Sequence, residues 1–150
     1  MLLFSGVGVA SFLVKEAENA LFRTRAWLEL VRWIRSAVDN YSMSVSEMLS
    51  SCDRELLWRL GYPVNECIPE SFFDIVEATD IPDRASREAV ECFLADFGKN
   101  YREQQVSRCD ECISVLRARE EMLAQQLPTK KKVILSVSLC ATAAALILFL

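Results

Sequence analysis

Residues 101–150 read YREQQVSRCDECISVLRAREEMLAQQLPTKKKVILSVSLCATAAALILFL. In 101–127, apolar and small side chains recur at spacings of three, four and seven residues, which predicts a long amphipathic α-helix. The segment 133–150 carries no charged side chain in 18 residues. A helix of that length is about 27 Å long, close to the roughly 30 Å hydrocarbon core of a bilayer. The stretch therefore predicts a charged helix that leads into a transmembrane helix.

The start of the chain is a second apolar segment. Residues 1–14 read MLLFSGVGVASFLV and also contain no charged side chain. Fourteen residues span only about 21 Å as a helix, so we expect the helix to continue to about residue 22. A cleaved signal peptide is the alternative, but it requires a basic residue near its start, and the first one here is Lys15. An uncleaved N-terminal transmembrane segment is the favoured interpretation.

The basic residues beside these segments predict their orientation. Lys130, Lys131 and Lys132 directly precede the second segment, and Lys15 directly follows the first. Basic residues at the ends of membrane segments favour the cytoplasm, so residues 15–132 are predicted to form a cytoplasmic domain with both termini outside. The three C-terminal lysines are also the predicted contacts with lipid headgroups.

In the segment between the two ends, apolar residues recur at helical spacings, and no stretch shows the alternation of apolar and polar residues that is typical of a strand. This spacing predicts helices over 17–38, 45–60, part of 69–80, 82–97 and 101–127. Ser44 and Glu47 are predicted to form a capping box, Asp80 to cap the helix over 82–97, and Pro128 to end the last helix. The predicted fold is all-α: an antiparallel helical bundle with a transmembrane helix at each end. The predicted bundle core comprises Trp27, Val31, Ile34, Phe93, Phe97, Leu116 and Leu123.

Two groups of side chains are candidates for binding. Arg25, Arg32 and Arg35 share one side of the first helix and are candidates for docking an acidic partner or lipid headgroups, although a solvated basic face is the simpler interpretation. Cys109 and Cys112 form a CxxC motif that fits a metal or thiol module. The chain has no histidine, and this CxxC lies in mid-helix beside two carboxylates. Structural packing of the two thiols is therefore favoured.

The remaining composition argues against catalysis. There is no histidine, no serine in a nucleophile elbow and no glycine-rich phosphate loop among the four scattered glycines. The net charge of −4 does not favour nucleic acid as a partner. We expect neither enzymatic activity nor a cofactor.

The segment from Phe93 onward resembles the C-terminal half of the stage III sporulation protein AB family of endospore-forming bacteria. The matching features are an F-x-x-x-(L/F)-G turn, a glutamine seven residues later, a long charged helix, a basic stop and a terminal apolar helix. The positions that carry them are Phe93, Phe97, Gly98, Gln105, Lys130 to Lys132 and Val133 onward. The first half agrees in layout, with ENALFRTRAWLELVRWIRSAV after a short apolar start.

The resemblance implies a place in the mother-cell membrane around the forespore, within the complex that builds a channel between the two cells. The family is similar to the inner-membrane platform proteins of type II secretion and type IV pilus systems, which work beside an assembly ATPase. It therefore implies a scaffold that couples a cytoplasmic ATPase, stage III sporulation protein AA, to the other channel proteins. A thiol or metal module, or a generic helical membrane adaptor, remains the alternative, and self-association stays open.

Overall fold

The computed structural model describes the backbone of residues 3–41, 43–65, 68–95, 97–99 and 101–149, and the side chains in these ranges except 3–11, 41, 135, 138–139 and 141–149. Within this part, the chain forms α-helices and one π-helical turn but no strand, so the predicted all-α class is confirmed. The helices are α1 Leu3–Ser36, α2 Val45–Ser51, α3 Arg54–Leu60, α4 Phe72–Ala78, α5 Arg84–Ala95 and α6 Arg102–Phe149, and the π-helical turn is Ala37–Tyr41.

The chain divides into two compact units. The terminal unit combines Met1–Leu21 with Glu121–Leu150, and the central unit is Phe22–Glu120. Both α1 and α6 contribute residues to each unit, whereas α2 to α5 belong to the central unit alone.

The core of the central unit forms around α1, which buries side chains over a wide arc. Trp27, Leu30 and Ile34 are among its largest fully buried side chains. From α6, a narrower stripe at spacings of three and four residues adds Cys109, Cys112 and Leu116. Such a stripe is typical of a helix packed along one side only. The shorter helices complete the core with Met48, Leu49, Leu56, Leu57, Leu60, Phe72, Ile75, Val76, Val90, Phe93 and Leu94.

The predicted core residues are found at the following places. Trp27, Val31, Ile34, Phe93 and Leu116 are buried in the core of the central unit. The ring of Phe97 is partly buried against the same core and lies 5.7 Å from the ring of Phe72 and 5.2 Å from that of Phe93, between centroids. Leu123 is buried in the terminal unit.

The prediction of a single helix over 45–60 is wrong, because this segment forms two helices, α2 and α3. The predicted capping box at its start is confirmed: Ser44 Oγ accepts from the Glu47 amide, and the Ser44 amide donates to the Glu47 carboxylate over 2.7 Å. The break follows from Cys52, which adopts an extended conformation, and from Asp53, whose carboxylate accepts the Glu55 amide at 3.0 Å. Asp53 thereby satisfies an amide that α2 would otherwise have bonded by continuing.

Two other predicted helix ends are also wrong. Pro128 lies inside α6 rather than ending it. A proline removes one backbone donor and strains the preceding turn, but the helical hydrogen bonds on both sides remain available. At the start of α5 the cap is Asp83 rather than Asp80, because the Asp83 carboxylate accepts the Ser86 amide at 3.0 Å and the Ser86 hydroxyl at 2.7 Å.

The turn before α6 requires a glycine. Gly98 has a φ of +82°, in the left-handed region that other residues rarely adopt. A Cβ atom at this position would also lie 3.2 Å from Val45 Cγ2. The Phe-x-x-x-Phe-Gly motif thus combines two ring contacts with a reversal of the chain that returns α6 toward the core.

The two predicted transmembrane segments, 1–14 and 133–150, fall largely on residues whose side chains lie outside the described part of the chain. Their backbone is helical where it is described. Among the described residues, no helix combines the length and the apolar character that crossing a membrane requires.

Candidate functional site

The arginine face predicted on α1 makes two ion pairs within the central unit. Arg25 Nε lies 2.8 Å from Glu120 Oε1. Arg35 donates to both carboxylate oxygens of Asp110, over 2.6 and 3.3 Å. From Arg25 to Arg35 the chain advances by ten residues, while the paired acidic residue moves back by ten, from Glu120 to Asp110. The helices α1 and α6 therefore run antiparallel here.

These ion pairs change the interpretation of the basic face. Exposed ion pairs contribute only about 0–1 kcal/mol each to stability, although a bidentate arginine–carboxylate pair is geometrically specific. The pairs of Arg25 and Arg35 therefore fix the register of α6 against α1 more than they stabilise the fold. Arg32 is exposed and forms no ion pair with a residue in the described part of the chain, so it is the member of the face that is available to a partner.

The π-helical turn at the end of α1 is fixed to the start of α6 through Asp39. Arg102 donates to the Asp39 carboxylate over 2.8 Å and also to the Asp39 backbone carbonyl. Arg35 Nη1 lies 3.6 Å from the other carboxylate oxygen of Asp39. π-Helical turns are rare overall, but many of those that occur lie at functional sites. In this one, the carboxylate and the backbone carbonyl of Asp39 both accept hydrogen bonds from the Arg102 guanidinium group.

The terminal unit presents charged and apolar side chains close together. Lys131 Nζ lies 2.6 Å from Glu18 Oε1, whereas Lys130 and Lys132 are exposed. Within about two helical turns of this ion pair, α1 exposes Phe12 and Leu13 and α6 exposes Val133 and Val137. Phe12 is 65% exposed and Val137 is 63% exposed, so large apolar side chains lie on the surface directly beyond a group of lysines.

The CxxC thiols lie in the core of the central unit. Cys109 and Cys112 are both buried, and no group of three or more potential metal ligands occurs among the residues that the structure describes. Burial raises the pKa of each thiol to about 12, with further increases from the Asp110 charge at Cys109 and from neighbouring thiols at Cys112. Thiolates are the nucleophilic and metal-binding form of cysteine, so this arrangement favours packing over thiol chemistry.

The raised thiol pKa values predict a loss of stability at alkaline pH. The folded-state values are about 12 against an ordinary value of 9.0, so above pH 9 the unfolded chain loses these protons first. The free energy of unfolding should fall as the pH rises from 9 to 12. The measurement is the melting temperature of the full chain and of the double variant Cys109→Ala/Cys112→Ala from pH 8 to 11. An equal alkaline decrease in both proteins would contradict the assignment.

Sequence reasoning missed the acidic residues that complete these contacts. No local pattern indicated a partner for Asp39, Asp110 or Glu120, because the arginines that they contact lie 63 to 95 residues away along the chain. The Ser71–Asp74 capping box of α4 was also missed. The spacing of a serine three residues before an acidic residue was the available signal.

No model of a known protein family matches the chain, and neither the curated proteins nor the solved structures contain a significant match.

Proposed function

We propose that the chain is a membrane scaffold of the channel between mother cell and forespore in sporulation, where it couples a cytoplasmic ATPase to the membrane complex. In this proposal the two ends insert into the mother-cell membrane around the forespore, the segment 15–132 faces the cytoplasm and both termini lie outside. The chain acts through helix packing and contacts with partners, and none of its residues performs covalent chemistry.

The observation that carries the proposal is the surface of the terminal unit. Exposed large apolar side chains that gather in one part of a chain favour contact with another protein or with a membrane. Here Phe12, Leu13, Val133 and Val137 are exposed beside Lys130 and Lys132. Lysines at this position contact phosphate headgroups while the neighbouring apolar side chains enter the hydrocarbon. These four residues belong to the segments 1–14 and 133–150, which contain no charged side chain.

The sporulation-specific part of the proposal rests on the resemblance of residues 93–150 to the stage III sporulation protein AB family. The packing of the central unit is compatible with a scaffold, since the two long helices are held in one antiparallel register by Arg25–Glu120 and Arg35–Asp110. Arg32, exposed on the same helix, is the basic residue that we assign to contact with an acidic partner.

The test uses vesicles of phosphatidylethanolamine and phosphatidylglycerol that contain the full chain, together with purified stage III sporulation protein AA ATPase. After a wash in alkaline carbonate, the chain is expected to float with the vesicles, and the ATPase added afterwards is expected to float only when the chain is present. Removal of the chain by carbonate would contradict the membrane anchor. A chain that floats without the ATPase would contradict the coupling and leave the anchor intact.

Matched variants distinguish insertion into the lipid bilayer from non-specific adsorption to the vesicles. The double variant Phe12→Asp/Val137→Asp places a charge at two exposed apolar positions of the terminal unit, where insertion would cost about 2.5–3.5 kcal/mol per charge. It is expected to be washed from the vesicles. The control Phe73→Asp changes an exposed phenylalanine of α4 in the central unit and should remain bound. Equal retention of both variants would contradict the assigned lipid-facing surface.

A further inference from the structure

A solvent-open cavity of about 710 Å³ lies where the π-helical turn meets the start of α6. It is lined by Asp39, Tyr101, Arg102, Glu103 and Val106, all of which belong to the central unit. Arg35 of the arginine face contacts the described lining of the cavity only through Asp39, and the proposed function does not use the cavity.

The charge within the cavity is only partly compensated. The Arg102 guanidinium is already occupied by the carboxylate and the carbonyl of Asp39, and Arg35 approaches the second oxygen of that carboxylate. Glu103 is exposed and forms no ion pair with any residue that the structure describes. The lining residues that the structure describes therefore carry two carboxylates and one guanidinium, a formal charge of −1.

Tyr101 adds an aromatic surface to this negative charge. Its side chain is 84% exposed, although a tyrosine usually buries most of its ring when it packs in a fold. Tyrosine is enriched among the residues that contribute most of the binding energy at protein interfaces. An aromatic ring attracts a cation placed over its face, and guanidinium groups stack there more often than ammonium groups.

We propose that this cavity binds an arginine side chain of a partner protein. The guanidinium would stack on the Tyr101 ring and donate to the Glu103 carboxylate, while its methylene groups contact Val106. The pair of Arg102 with Asp39 forms the opposite wall and keeps the π-helical turn in place, so the cavity is preorganised before the partner arrives.

Hexa-arginine, labelled with a fluorophore, is the probe, and its binding to the full chain is measured by fluorescence polarisation in a neutral maltoside detergent at physiological salt. Binding is expected to exceed that of hexa-lysine, and Glu103→Gln and Tyr101→Ala are each expected to weaken it about fivefold. Tyr101→Phe keeps the aromatic face and should bind as the unmodified chain does. Circular dichroism establishes that all variants are folded.

The control Glu77→Gln removes the same charge from an exposed position of α4, outside the cavity. It should change the affinity by less than about twofold, because a diffuse contribution from one exposed charge is screened by salt. If Glu77→Gln weakens binding as much as Glu103→Gln, the peptide senses only net charge and the proposal is overturned. Absence of hexa-arginine binding, or stronger binding of hexa-glutamate, would overturn it as well. None of these outcomes depends on membrane insertion or on the ATPase.

Discussion

Replacing Leu116 by aspartate is expected to abolish the cooperative thermal unfolding of the central unit. Leu116 is 1% exposed and lies in the core together with Cys109 and Cys112. The change removes about 1.5–3 kcal/mol of apolar burial and places a carboxylate where the neighbouring side chains are apolar, which costs several kcal/mol more unless the group is protonated. Together these losses approach the roughly 5–15 kcal/mol that stabilises a typical domain.

The measurement is the circular dichroism signal of the full chain in detergent as a function of temperature. Ala118→Asp is the matched control, because it introduces the same carboxylate two residues away at an exposed position of α6. The control is expected to unfold as cooperatively as the unmodified chain, with a cost of about 0.5 kcal/mol or less. Helicity and a melting temperature unchanged in Leu116→Asp would contradict the placement of this side chain in the core.

The burial of Leu116 illustrates what sequence reasoning can predict in this chain. The spacing of three and four residues in α6 depends only on helical geometry, so it places Cys109, Cys112 and Leu116 on one face without any knowledge of the partner helix. The Ser44–Glu47 capping box is equally local, because both of its hydrogen bonds lie within four residues. Patterns that are complete within one or two turns are therefore readable from the sequence.

Features that depend on distant residues were not readable in this way. The π-helical turn is held by Arg102, which lies 63 residues away from Asp39, and no local pattern in 37–41 indicates that partner. The same holds for the cavity beside it, since its described lining combines Asp39 of the π-helical turn with residues between Tyr101 and Val106. The predicted helix end at Pro128 was wrong for a related reason. Proline disfavours a helix locally, whereas the continuation of α6 depends on the hydrogen bonds of the turns on both sides.

Truncating Trp27 to alanine is the second change with a large expected effect. Trp27 is 1% exposed and is one of the largest side chains in the core of the central unit. Removing a buried tryptophan leaves a cavity that the surrounding helices fill only in part, at a cost of about 3–5 kcal/mol. Trp58 is the matched control, because it is 65% exposed, and Trp58→Ala is expected to cost about 0.5 kcal/mol or less.

The variant Trp27→Phe distinguishes packing from hydrogen bonding at this position. Trp27 Nε1 is buried and has no hydrogen-bond partner among the described residues, and an unsatisfied buried donor costs about 1–3 kcal/mol. Phenylalanine keeps most of the aromatic contact and removes that donor, so the two effects partly cancel. The free energy of unfolding of Trp27→Phe, from urea titration followed by fluorescence of the remaining tryptophans, should therefore lie far closer to that of the unmodified chain than to that of Trp27→Ala. If Trp27→Phe lost as much free energy of unfolding as Trp27→Ala, the indole N–H would have to form a hydrogen bond in solution. The small change in side-chain volume alone would not explain such a loss.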